Sequence, residues 1–231
     1  MAKVIAICGY GPGISHAVAL RFGAAGFSVA LVGRRAESVS QGAAALQKAD
    51  IRAQGFVCDV GRPETVAPLI AAVRAALGPI HVLHWNAYAP VARDLTTCTS
   101  DELQYALNVA VVGFDAAVQA SLADLRAQPQ SAVLLTGGGL ALDNPAMHAL
   151  AVKFGAGGLA VAKAAQHQLI GVLHAQLQSS GVFAGEVMVC GVVKGTHADR
   201  DGTATLEPAH VADKFWDLYQ TRASVTVRVP T

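Results

Sequence analysis

Three glycines and two arginines carry the clearest chemistry in the chain. The run Cys8-Gly9-Tyr10-Gly11-Pro12-Gly13-Ile14-Ser15 follows an apolar stretch from Lys3 to Cys8 and precedes Ala17, Val18, Leu20 and Arg21, which read as helix. Strand, glycine turn and helix in that order is the context in which glycines bind phosphate. Gly9 permits a tight turn, and Gly13 a close approach of backbone to a pyrophosphate whose charge meets free N–H groups at the helix start. Together with Gly11, Ile14 and Ser15 they form the expected cradle, with the spacing Gly-x-x-x-Gly-x-Gly and Ser15 in the last place. The second strand pattern ends in Leu31-Val32-Gly33-Arg34-Arg35. A dinucleotide fold that prefers NAD places an acid here, against the ribose 2'-hydroxyl. A guanidinium instead matches the dianionic 2'-phosphate of NADP in charge and in forked geometry. Arg34 is the first choice for that contact and Arg35 the second, so the expected cofactor is NADP(H).

The elements that must hold these residues alternate along the chain. Strand patterns fall at Lys3 to Cys8, Phe27 to Val32, Ile51 to Cys58, Ile80 to Trp85, Ala132 to Thr136, Val182 to Val192 and Val225 to Val229. Between them Val66, Leu69, Ile70, Val73 and Leu77 keep the i, i+3, i+4, i+7 spacing of a helix with one buried face. Pro63 suits that helix's first turn, while Pro68 should kink it or delay its start. Leu103, Leu107, Ala110, Val111, Phe114 and Val118 give a second long helix, and Phe154 to Gln178 a third. Repeated βα units imply an α/β fold: a Rossmann-type doubly wound parallel sheet of about seven strands, with helices on both faces. With no linker pattern, residues 1–231 read as a single domain.

With those motifs in place, the sequence resembles the short-chain dehydrogenase/reductase family over essentially the whole chain. Cys58-Asp59-Val60 resembles the family's Asp-Val after strand three, whose Asp meets the adenine. Trp85-Asn86-Ala87-Tyr88 is similar to its Asn-Asn-Ala-Gly, with Asn86 and Ala87 kept and Tyr88 in the last place. Asn108 falls where the family has a helix Asn that holds a proton-relay water. Gly191 to Thr196 resembles the Pro-Gly-x-x-x-Thr region beside the nicotinamide amide, although Lys194 stands where Pro would, and Pro208 to Tyr219 resembles the helix before the last strand. The resemblance therefore implies a cofactor contact for Asp59, Val60, Asn86, Ala87, Lys163 and Thr196.

The family's catalytic Tyr-x-x-x-Lys is only half present. Lys163, followed by Ala164 and Ala165, matches the Lys, but Leu159 stands four residues before it. The family's Ser corresponds to Thr136-Gly137-Gly138-Gly139, with Gly138 at the most fitting position, and the stretch from there to Leu159 is longer than is usual in the family. Leucine has no proton to give. A substitute is needed: Tyr88 beside the nicotinamide-side loop, His148 or Lys153 in the longer stretch, or a water held by Asn108 and Lys163. The residues expected to act are Lys163, Asn108 and Tyr88. Two functions follow from the resemblance and its gaps. One is an NADPH-dependent oxidoreductase acting on a small carbonyl or enone substrate with a non-standard proton source. The other is a catalytically silent protein that senses NADP(H) or acts as a scaffold.

Composition narrows the alternatives. Charged residues make up 14% and apolar residues 53% of 231, and mean hydropathy is +0.41, which suggests a large core and a further buried face. A stripe of Ala156, Ala160 and Ala164 beside Gly157, Val161 and Ala165 lets a neighbour approach closely, either the protein's own sheet or another subunit of a homodimer or homotetramer. The net charge of +1 and the lack of like-charge runs give no grip on nucleic acid or on a membrane surface. No apolar run reaches the roughly 20 residues of a bilayer span, and the apolar run after Lys3 is too short for a signal-peptide core, so a cytoplasmic protein is expected. Cys8, Cys58, Cys98 and Cys190 form no CxxC pair and read as reduced thiols. His81 and His84 lack neighbouring acids or thiols to complete a ligand set, so no metal is expected. No GxSxG elbow is present to support a hydrolase.

Overall fold

The computed structural model describes residues 3–230. Its strands are β1 (Val4–Cys8), β2 (Ser28–Gly33), β3 (Ala53–Val57), β4 (Ile80–Trp85), β5 (Ala132–Gly138), β6 (Phe183–Val189) and β7 (Thr226–Val229). They form one seven-stranded sheet in the order β3-β2-β1-β4-β5-β6-β7, every pair parallel. The central strands are nearly continuous apolar runs because both of their faces are covered. On one face lie α3 (Val66–Leu77), α4 (Ser100–Leu107), α5 (Gly113–Ala127) and α7 (Gly157–Leu177). The other face carries α1 (Ile14–Ala24), α2 (Ala36–Gln47) and α8 (Pro208–Thr221). This is the Rossmann-type doubly wound sheet that the alternation predicts. The strand order reverses between β1 and β4, which opens a crevice at their carboxyl ends.

The helices start and stop for local reasons. Thr99 and Glu102 form a reciprocal capping box at the head of α4. The helix then passes through a π-turn at Asn108–Val112 into α5, where Gly113 lies so close to the Val60 carbonyl that a Cβ would strike it. The continuous helix 100–127 is long and apolar enough to cross a bilayer, but Val109, Phe114, Ala117, Val118 and Leu125 bury its inner face in the core. Pro63 starts a short 3-10 turn over Pro63–Thr65, and α3 begins after it at Val66. Pro68 thus falls in the first turn of α3, where its missing N–H removes no helical bond.

Two expectations need correction. The helix expected from Phe154 to Gln178 starts at Gly157, and a separate helix, α6 (Pro145–Lys153), precedes it. The Asn144 side chain accepts from Met147 N to cap α6, and Gly155, with φ +57°, turns the chain out of it. The stretch before α7 is therefore folded, and His148 lies on α6. The strand expected from Val182 to Val192 stops at Val189, because Cys190 N makes the last bond to β7, at Val229 O.

Of the aromatic residues of α8, Phe215 packs on His84 with ring centroids 4.6 Å apart, and the other two join the core beside α1. Trp216 and Tyr219 meet Phe22 and Phe27 edge-on or tilted, with Phe22 fully buried among them. Phe22→Ala should therefore cost about 3–5 kcal/mol of stability with an unchanged denaturant slope, read from urea unfolding.

Candidate functional site

The floor of the crevice is the contact between the turn after β1 and the end of β4. Gly9, at φ +89°, donates to Val32 O at 3.0 Å, and a Cβ there would collide with the backbone of Ala87. Asn86 closes the other side: its backbone N donates to Cys8 O at 2.8 Å and its side-chain Nδ2 to Gly9 O at 3.0 Å. Gly11 faces open space. Gly13 is capped by Thr196, whose Cγ2 lies 2.6 Å from where a Cβ would stand, while Thr196 Oγ1 donates to Val193 O. Ser15 is buried, and its Oγ ties back to Gly11, accepting from N at 2.8 Å and lying 3.0 Å from O. Ile14 begins α1 with no side chain capping its first N–H groups and no acid in the first turn, so those donors can take an anion. Tyr10 folds aside, its hydroxyl 3.0 Å from His16 Nδ1 and its ring in the space left by Gly42.

The two arginines diverge. Arg34 Nη1 donates to the Tyr105 hydroxyl at 3.2 Å, on the side of the crevice where β3 ends. Arg35 lines a shallow groove with Tyr10, Pro12, Ser38 and Gln41, between the glycine loop and α2. Neither guanidinium has a carboxylate within ion-pair distance among the described residues. Asp59 accepts from Gly61 N at 3.0 Å and from the Tyr105 hydroxyl at 2.9 Å, and Val60 behind it is buried. A second groove, apolar and lined by Val57, Asp59, Pro68 and Leu69, opens at the β3 edge, away from the strand ends that carry Lys163 and Gly138.

At the carboxyl ends of β4, β5 and β6, Lys163 comes off α7 and lies buried at 8% exposure. Its Nζ donates to Thr136 O at 2.7 Å and to Gln166 Oε1 at 2.9 Å, and Gln166 Nε2 donates in turn to Ala110 O in the π-turn. Burial lowers the Lys163 pKa from 10.5 to about 8, against the opposing pull of Glu186. Glu186, fully buried on β6, pairs with His167 Nδ1 at 2.6 Å, and Thr226 donates to the same oxygen at 3.3 Å. Its other oxygen has no partner among the described residues and fills the space that a side chain at Gly137 would need. His84 lies 3.0 Å from Thr136 Oγ1, and burial followed by the Lys163 charge pushes its pKa down to about 3, so it is neutral. His81 Nδ1 lies 3.1 Å from Pro79 O and 3.3 Å from Val4 N.

The other expected donors are spread out. Tyr88 is 43% exposed and makes no hydrogen bond among the described residues. Asn108 turns its side chain to accept from Gln104 Nε2 at 2.8 Å, so Gln166 rather than Asn108 touches Lys163. His148 lies 3.4 Å from Asp143 on the outer side of α6, and Lys153 stands beside the Phe154 ring. Lys194 leaves the crevice to pair with Glu207 at 2.6 Å. Leu159 lies one turn before Lys163 and is half-buried. Sequence reasoning passed over Tyr105, Gln166, Glu186 and His167. For two of them the signal was available: Gln166 and His167 stand three and four residues after Lys163, on its face of the helix.

A crevice of this kind, at the switch point of an all-parallel sheet and floored by a glycine turn, defines a Rossmann-type α/β protein. The short chain dehydrogenase family model matches residues 3–206, and the chain belongs to that family, whose members are oxidoreductases. A short-chain dehydrogenase/reductase double mutant from Serratia marcescens superposes with a TM-score of 0.86 at 18% identity, covering 99% of this chain and 96% of that one. L-sorbose reductase from Gluconobacter frateurii, complexed with NADPH and L-sorbose, gives 0.85 at 20% identity over 99% and 95%. A short chain oxidoreductase from Pseudomonas aeruginosa PAO1, described as containing an atypical catalytic center, gives 0.83 at 18% over 99% and 95%. At such identities the likeness is one of fold.

The two glycines at the end of β5 make a direct test of this geometry. A Cβ at Gly138 meets only the Lys163 alkyl chain, 3.7–3.8 Å away, whereas one at Gly137 strikes the Glu186 carboxylate. Gly138→Ser should fold with stability close to that of the unsubstituted protein, and Gly137→Ser should lose about 1–3 kcal/mol in urea titrations.

Proposed function

We propose that the protein is an NADP(H)-dependent oxidoreductase that acts on the carbonyl or enone group of a small molecule and uses Lys163 as its proton source. The observation that carries this reading is the glycine turn on the crevice floor beside two guanidinium groups that have no carboxylate within ion-pair distance among the described residues. Gly9 lets the turn lie against Ala87, Gly13 sits under Thr196 and Gly11 faces open space beside the free N–H groups of α1, and a turn of that shape fits a pyrophosphate. Ile14 and Ser15 hold its rim, Asn86 and Ala87 its floor, and Thr196 its far wall. Asp59 and Val60 stand where the adenine would lie, with Arg34 and Arg35 placed to answer a 2'-phosphate. When bound, the cofactor supplies a hydride.

The chain's own contribution is a proton and an orientation. Lys163 has three N–H donors and spends two on Thr136 O and Gln166, which fixes its direction and leaves one free. Its stem runs past Gly138, so it reaches the end of β5 without a phenol between it and the crevice. With a pKa near 8 the ammonium is protonated at neutral pH and can donate from Nζ to a developing substrate oxygen. Tyr88, which is exposed, and Asn108, which is bonded to Gln104, are secondary positions for a hydroxyl and a water. Reduction of a carbonyl panel with NADPH should therefore fall as pH rises through about 8, where Lys163 loses its proton. A profile flat to pH 10 would contradict the assignment.

The catalytically silent reading draws on a different observation: Leu159 and Gly138 remove a hydroxyl from each side, and Lys163 is bonded inward. It expects thermal stabilisation by NADPH that grows with ligand concentration, without turnover. Leu159→Tyr with Gly138→Ser separates the two readings. A silent protein should gain reductase activity, by about 100-fold or more over its background, since a positioned acid contributes on that order. A protein already using Lys163 should change much less.

Self-association belongs to the same proposal. Val161, Ala164 and Val172 face outward on α7, and Val112 on the neighbouring helix is exposed beside them. A second copy covering this stripe would give the homodimer or homotetramer expected from the hydropathy.

A further inference from the structure

We infer that Tyr105 sets cofactor preference by latching Arg34 to Asp59, so that the guanidinium is held at the adenosine end of the crevice before any ligand arrives. The inference rests on the NADP(H) reading proposed above and adds a residue that no glycine or arginine motif contains. Three separate elements meet at the Tyr105 hydroxyl, which comes from α4. It lies 2.9 Å from Asp59 Oδ1, just past the end of β3, and 3.2 Å from Arg34 Nη1, just past the end of β2. The bond directions are forced by chemistry: a carboxylate only accepts and a guanidinium only donates, so the single phenol proton goes to Asp59 and a lone pair takes the Arg34 N–H.

The ring carrying that hydroxyl is held in place. Residue 61 is glycine, and the Tyr105 ring occupies the space a Cβ there would need. Gly61 N meanwhile donates to the same Asp59 oxygen at 3.0 Å, fixing the acceptor. Burial and the Asp59 bond both raise the Tyr105 pKa, so the phenol stays protonated and able to donate. Arg34 is otherwise exposed and free of carboxylates among the described residues, a side chain that would sample many rotamers. Anchoring it through one N–H leaves the rest of its fork for a phosphate. Ordering a long side chain in advance removes a cost that binding would otherwise bear. A ribose 2'-hydroxyl makes little use of such a charge, so the advantage falls to the phosphorylated dinucleotide.

The test uses NADPH and NADH as probes in titration calorimetry, with the unsubstituted protein and the variants Tyr105→Phe, Arg34→Ala and their combination. Phenylalanine keeps the ring against Gly61, and circular dichroism with thermal melts will verify that each variant is folded. Tyr105→Phe should weaken NADPH about threefold to tenfold, the scale of ordering one flexible side chain, and change NADH less than about twofold. In the Arg34→Ala background the same substitution should have no effect on NADPH, because the two residues act as one unit. Equal weakening of both dinucleotides, unchanged NADPH affinity, or additive effects in the double variant would overturn the latch while leaving the cofactor assignment standing. If the unsubstituted protein binds neither dinucleotide, the latch falls together with the NADP(H) reading.

Discussion

Everything at the working end of this protein depends on one close approach of two backbones. β1 and β4 are neighbours whose chains leave the sheet in opposite directions, and the gap between them is spanned by Gly9 against Ala87, with Asn86 bonded to Cys8 O and Gly9 O. No side chain fits between these two segments. The absence of a Cβ at residue 9 therefore lets the turn lie against Ala87 and leads the chain into α1, while Thr196 packs over Gly13. A bulkier residue would push the loop outward and carry the helix start with it. The crevice is thus a property of the topology, and the glycine is what makes it deep.

At the other end of the crevice the constraint is electrostatic. Lys163, Glu186 and His84 are buried together at the ends of β4, β5 and β6, where an uncompensated charge would cost several kcal/mol. Each charge has partners: Lys163 has a backbone carbonyl and Gln166, and Glu186 has His167 and Thr226. His84 avoids the problem by staying neutral. The price of housing a carboxylate inside the sheet is the loss of a side chain at Gly137. Gly138 is a different case, since its missing side chain leaves room rather than relieving a clash. Two adjacent glycines at a strand end thus serve opposite purposes, one structural and one open to chemistry.

The stretch between β5 and α7 shows how a local departure is absorbed. Much of it becomes the helix α6, capped by Asn144 and ended at Gly155, and the chain rejoins the core where Gly157 N and Gly158 N donate to Arg93 O and Ala92 O. Those bonds tie the segment after β4 to the head of α7.

The sequence alone determined the sheet, the helices on both of its faces and the glycine turn after β1, because these follow from signals carried within a few residues of one another. The run Ile80 to Trp85 is a strand at those same bounds, and the periodic residues from Val66 to Leu77 are the buried face of α3. The break in the helix before Gly157 was missed because an apolar, alanine-rich stretch keeps helical character on both sides of a glycine. Tertiary structure decided the partnerships: Arg34 with Tyr105, Tyr105 with Asp59, His167 with Glu186, and Gln166 with a carbonyl in the π-turn. These pairs lie 71, 46, 19 and 56 positions apart in the chain. No periodicity links residues at such separations. Which of two adjacent arginines turns to a tyrosine, and which carbonyl receives a lysine, depends on where packed elements come to rest.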